Sequence, residues 1–118
     1  MLKTKQLGNS GEQFVADFLK NKNFQIISKN FKTKLGEIDL IAQKGEVLAF
    51  VEVKTRKTAY FPISNVITKT KQKKIINSAK YFIVQNNIFD KVCRFDVATV
   101  ISFNNNFDIE YIENAFGE

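Results

Sequence analysis

The segments Gly36-Glu37-Ile38-Asp39-Leu40-Ile41 and Phe50-Val51-Glu52-Val53-Lys54-Thr55-Arg56 restrict the fold more than any other part of the chain, because each sets ionisable groups among strand-forming residues. Charge in such surroundings is costly unless it is paired or bound to a cation. Joined by a short turn at Lys44-Gly45, the two segments read as a β-hairpin. Its expected register sets Glu37 opposite Glu52 and Asp39 opposite Phe50, which leaves Asp39 and Glu52 as diagonal neighbours on one face. One face then takes Ile38, Leu40, Ala42, Val47, Ala49, Val51 and Val53, and is apolar throughout. The other takes Glu37, Asp39, Ile41, Leu48, Phe50, Glu52 and Lys54, apolar near the turn and charged only at the far end. A solvated face would be polar along its length. The pattern is that of a sheet buried on both sides, with a notch at one end holding Glu37, Asp39, Glu52 and Lys54.

Carboxylates held that close repel one another, and a divalent cation is the usual remedy. The chain has no histidine and a single cysteine, so sites built from soft ligands lack donors. Oxygen ligands favour Mg2+ or Mn2+. Such an ion activates water and neutralises charge on a phosphoryl group. Lys54, two residues beyond Glu52 on the same strand face, would point at the same centre, to orient an attacking water or offset transition-state charge.

Asp39 followed by Glu52-Val53-Lys54 resembles the D…(D/E)-x-K signature of restriction-endonuclease-like nucleases. Longer strings narrow the likeness: Ser10-Gly11-Glu12 with Ala16, Asn30-Phe31-Lys32, the two hairpin segments, and Arg94-Phe95-Asp96-Val97. In this order, over roughly residues 8 to 100, they resemble the YraN family (UPF0102), small bacterial proteins similar to Holliday junction resolvases. The resemblance implies a minimal nuclease fold, with a metal held by Asp39, Glu52 and the backbone carbonyl of Val53. It also implies Lys54 beside the water and Glu12 contributing from the first helix. Lysine stands at Lys32, Lys34, Lys73 and Lys74, where the family commonly has arginine, and lysine grips phosphate as a point charge without the bidentate fork. The function expected is a metal-dependent endonuclease hydrolysing phosphodiesters in DNA, with branched DNA such as Holliday junctions as one candidate substrate. The alternative is a catalytically inactive module of nuclease-like fold that only binds nucleic acid or a protein. Cutting both strands of a duplex or a four-way junction needs two sites, so a homodimer is expected on condition of such a substrate.

Between Glu52 and Asp90 there is no acidic residue, while Lys54, Arg56, Lys57, Lys69, Lys71, Lys73, Lys74 and Lys80 carry positive charge; that stretch alone exceeds the net charge of +6. A one-sign field beginning at the notch would draw a polyanion, and Arg56, Lys57, Lys69, Lys71, Lys73 and Lys74 are the candidate nucleic-acid contacts. The plain alternative is a solvated lysine-rich helix. With 118 residues, 44% hydrophobic and 25% charged, the chain reads as one nuclease-like domain over 1–118. The lone Cys93 suits a reducing cytoplasm, no apolar run approaches membrane-spanning length, and the basic N-terminus has no apolar stretch behind it; a cytoplasmic protein is expected.

Along the chain, Ser10 with Gln13 reads as a capping box opening a helix to about Asn21. Glu12 would then point along its inward face, or simply be a first-turn carboxylate favoured by the helix dipole. Phe24 to Phe31 reads as a strand, the hairpin follows at 36 to 55, and Tyr60-Phe61-Pro62 breaks the pattern. Thr68 or Thr70 caps a helix to about Val84 with Ile75, Ile76, Ala79, Phe82 and Ile83 as its buried stripe, and Gln72 facing inward as a helix residue that satisfies local polar groups. Asn86-Asn87 ends it. Val92 to Phe103 and Phe107 to Glu113 read as strands about an asparagine turn. Arg94 and Asp96 share a strand face as a structural bridge, so Asp96 stays outside the catalytic set. The order α-β-β-β-α-β-β predicts an α/β fold: a mixed central sheet flanked by helices, with a restriction-endonuclease-like core.

Overall fold

The computed structural model describes residues 4–57, 67–104 and 106–118. Its elements are α1 (Thr4–Asn21), β1 (Gln25–Thr33), β2 (Gly36–Lys44), β3 (Val47–Arg56), α2 (Lys69–Gln85), β4 (Val92–Phe103) and β5 (Asn106–Phe116). The five strands lie in chain order across one sheet; β3 and β4 are parallel and every other neighbour is antiparallel. The α-β-β-β-α-β-β order and the mixed sheet are as expected. The expected break at Tyr60-Phe61-Pro62 lies outside the described residues.

Burial on both faces follows from the hairpin's composition. Val15, Ala16 and Leu19 of α1 pack on Leu40, Ala42, Ala49, Val51 and Val53, joined by Ala98 and Val100 of β4. On the other face Ile75, Ala79 and Phe82 of α2 cover Ile38, Ile41, Leu48 and Phe50. Parallel pairing of β3 with β4 requires a long connection, and α2 lies within it. Its N-cap is Thr68, whose hydroxyl accepts from the Lys71 amide; Asn86 closes its C-terminus.

Four expectations are corrected. The hairpin turn is Gly45-Glu46, with Gly45 at φ +57°, and the register is shifted by two residues: Leu40 lies opposite Val51 and Ile41 opposite Phe50. A shift of two preserves parity, so Asp39, Glu52 and Lys54 keep their shared face, while Asp39 comes to lie across from Glu52 rather than diagonal to it. Ile38 does not lie with Leu40 but under α2. Past Leu40 the ladder to β3 is open, and the neighbouring strand carries Asn30 at φ +53°, a local reversal that takes Phe31 and Ile38 to the α2 side together. Ser10 is no N-cap: α1 begins at Thr4, since no proline interrupts the residues before Ser10. The two outer strands run beyond their expected ends, β1 to Thr33 and β5 to Phe116.

Asp96 is fully buried and accepts from Arg94 Nε (2.9 Å), Tyr111 Oη (2.6 Å) and the Asn114 amide (2.9 Å), at the point where the β4–β5 register shifts. It is a structural bridge, as expected. Among the described residues, no helix is long and apolar enough to cross a membrane.

Candidate active site

The notch forms where β2 and β3 part. The last ladder pair is Leu40 with Val51, so the next residues inward, Asp39 and Glu52, face each other across an opening that main-chain hydrogen bonds no longer close. Asp39 Oδ2 accepts from the Val53 amide at 2.8 Å, a side chain taking the place of a ladder carbonyl. Within an extended strand, a residue's N–H and C=O point to the same edge, so the Val53 carbonyl is directed at this opening too. Asp39, Glu52 and Lys54 thereby share the face of the sheet that α2 covers. The cleft has a volume of about 230 Å³ and is lined by Gly36, Glu37, Asp39, Glu52, Lys71, Lys74 and Ile75.

Its electrostatics are those of crowded, poorly hydrated carboxylates. Glu52 is 4% exposed. Burial first, and then the Glu52 carboxylate, push the Asp39 carboxyl up to about 8, against the hydrogen bond from Val53. Burial also lowers the Lys54 ammonium, and the neighbouring Lys71 adds to the effect. Glu52 is held by two cations: Lys71 Nζ at 3.1 Å and Lys54 Nζ at 3.6 Å. Lys71 therefore belongs to the notch, and not only to the basic surface on which the sequence placed it. Its inward facing was readable, since Lys71 precedes the buried Ile75 by one helical turn, but its partner on β3 was not.

Glu12 approaches from α1 on the opposite side. With its amide nitrogen turned to the carboxylates, Asn30 donates to Glu12 Oε1 (3.0 Å) and Glu37 Oε1 (3.3 Å). Burial raises the Glu12 carboxyl; the Asn30 bond opposes that, while the Glu37 and Glu52 charges add to it. The dipole explanation for Glu12 fails, because α1 begins two turns earlier. Asn30 was a missed residue; its signal is an asparagine inside a strand, a type tolerant of positive φ and unsuited to a ladder. Gly11 lets α1 approach this closely: a Cβ there would collide with Thr55 Oγ1 of β3.

The donor set fits a hard cation. Among the described residues no three acidic, histidine or cysteine side chains converge tightly enough to hold an ion alone. Two facing carboxylates and a main-chain carbonyl make a sparse oxygen shell, of the kind magnesium completes with water.

The basic candidates divide around α2. Lys74 lines the notch with Lys71, whereas Lys69 and Lys73 line a second groove of about 320 Å³ with Gln72, Ile76, Asn77, Lys80, Gly117 and Glu118. Lys80 pairs with Glu118 at 2.9 Å. Lys57 is exposed just past β3, and Arg56 Nη1 lies 3.5 Å from the Thr55 carbonyl. Gln72 Nε2 donates to the Ile67 carbonyl at 3.3 Å, the local role expected of it.

Comparison with known proteins places these residues in a family. Residues 11–100 match the model of the uncharacterised protein family UPF0102. A UPF0102 protein from Caldicellulosiruptor saccharolyticus is 43% identical over 115 residues, covering 95% of this chain and 98% of that one. Another, from Dictyoglomus thermophilum, is 40% identical over 118 residues, covering 98% and 100%. A third, from Alkaliphilus metalliredigens, is 40% identical over 114 residues, covering 96% and 99%.

Proposed function

This chain belongs to the uncharacterised protein family UPF0102, and from that premise we propose that it is a divalent-cation-dependent endonuclease that hydrolyses phosphodiesters in DNA. One observation carries the reading: two carboxylates, the half-buried Asp39 and the buried Glu52, face each other across an open ladder, with an ammonium from the Glu52 strand beside them. Asp39, Glu52 and the Val53 carbonyl would hold a magnesium or manganese ion, which when bound supplies an acidified water and neutralises charge on the phosphoryl group. Lys54, on the Glu52 strand face, orients the attacking water and balances charge that grows on the phosphate oxygens. Glu12, steadied by Asn30, stands on the far side of the opening to accept a hydrogen bond from water. Lys71 and Lys74 at the rim, with Arg56, Lys57, Lys69 and Lys73 beyond it, attract the DNA backbone. The reading takes 1–118 as one nuclease-like unit working in the cytoplasm, on branched DNA among other candidates.

One observation favours the second reading, a module that binds nucleic acid without cutting it: Lys54 and Lys71 already neutralise Glu52. Cleavage decides between them. Branched, single-stranded and duplex DNA are incubated with magnesium or manganese and wild type, Asp39→Ala, Glu52→Ala or Lys54→Ala. Loss of cutting with binding largely kept is expected; variants that cut as well as wild type would remove the notch from the reaction.

A further inference from the structure

We propose that the groove between the β1–β2 turn and the second half of α2, lined by Lys32, Thr33, Lys34, Leu35 and Tyr81, receives an unpaired base of the DNA, stacked on Tyr81 with adjoining phosphates on Lys32 and Lys34. The inference rests on the nuclease reading, which supplies the chemistry of its ligand. The groove has a volume of about 760 Å³, and its two large apolar side chains are half exposed, Tyr81 at 50% and Leu35 at 48%. The Tyr81 ring is braced from behind. It lies 6.4 Å from the Phe31 ring, which meets Phe82 edge-on at 5.1 Å, so the platform rests on the buried cluster under α2.

The facing wall is equally fixed. Thr33 Oγ1 accepts from the Leu35 amide (2.9 Å) and the Gly36 amide (3.1 Å), and it is hydrogen-bonded to the buried Ser78 Oγ at 3.1 Å. A rigid aromatic face between exposed lysines meets the two demands of a single-stranded nucleic acid, a surface for a base and charge for its backbone. Position favours the same ligand. Gly36, which follows the turn, lines the notch with Lys74, and a Cβ added to it would lie 3.1 Å from Lys74 Cβ. Tyr81 follows Lys74 by seven residues, about 10 Å along the helix, or about three stacked nucleotides. A strand entering the notch would cross this groove.

Fluorescence anisotropy in EDTA tests the groove, with a labelled single-stranded oligonucleotide and a blunt duplex of the same sequence as probes. Tyr81→Ala should weaken single-strand binding roughly 5- to 100-fold and duplex binding by less than about twofold, whereas Tyr81→Phe keeps both. Leu35→Ser, at the turn, should act in the same direction and serves if Tyr81→Ala fails to fold by circular dichroism. Unchanged single-strand affinity, or an equal loss on both probes, would overturn the proposal. Because the assay uses no cation and no cleavage, its failure leaves the notch untouched, and failure of the notch leaves its result standing.

Discussion

At the residue scale, the notch sets a carboxyl against its own charge. Asp39 titrates in the fold near 8 and in an unfolded chain near 3.9, so between those values the folded state holds the extra proton. Stability therefore falls as pH rises from about 4 to about 8 in cation-free buffer, and magnesium or manganese should reverse the fall. Asp39→Asn, which keeps an acceptor for the Val53 amide, should flatten that dependence and raise Tm at pH 8 by roughly 5 °C. A variant whose melting follows pH as the wild type does would show that Asp39 is not the group that titrates. Lys71 competes with any cation for Glu52. Lys71→Ala should bind manganese roughly tenfold more tightly by calorimetry, the effect of about 1.4 kcal/mol of removed repulsion; equal or weaker binding would contradict that competition.

Among the elements, what was legible in the sequence is what periodicity encodes. Alternation at period two assigned Asp39, Glu52 and Lys54 to one face, and a register error of two residues left that parity intact. Contacts between elements distant in sequence were not legible. Asn30 bridging Glu12 and Glu37, and Lys71 reaching Glu52, depend on how α1 and α2 seat against the sheet. The start of α1 was missed because a capping-box pattern at Ser10 reads the same within a helix as at its end. Seating itself is testable. Gly11→Ala should destabilise the fold by about 1–3 kcal/mol in denaturant melts, despite alanine's better helix propensity, because its Cβ meets Thr55 Oγ1. Adding Thr55→Ala should restore most of the loss; no rescue would place the strain elsewhere.

For the whole molecule, the charge distribution governs the partner. Of the acid-free stretch, Lys71 and Lys74 lie at the notch and Lys69 and Lys73 around α2. Affinity for DNA should fall steeply with salt, and Lys73→Ala should lower the slope by roughly one unit; identical slopes would remove that surface from the interface. The sheet ends in two edges, β1 and β5. A junction presents two strands to cut and each chain carries one notch, so light scattering with branched DNA should find two chains per complex; a monomer on such DNA would count against paired cutting.

Manganese soaked into crystals of the wild-type chain, located by its anomalous scattering, reports most directly on whether Asp39 and Glu52 share one ion. The expected result is a single peak in the opening between β2 and β3, about 2.1 Å from a carboxylate oxygen of each residue, with Lys71 drawn away from Glu52. Manganese bound elsewhere, or an empty opening with Lys71 still on Glu52 at saturating manganese, would contradict the account.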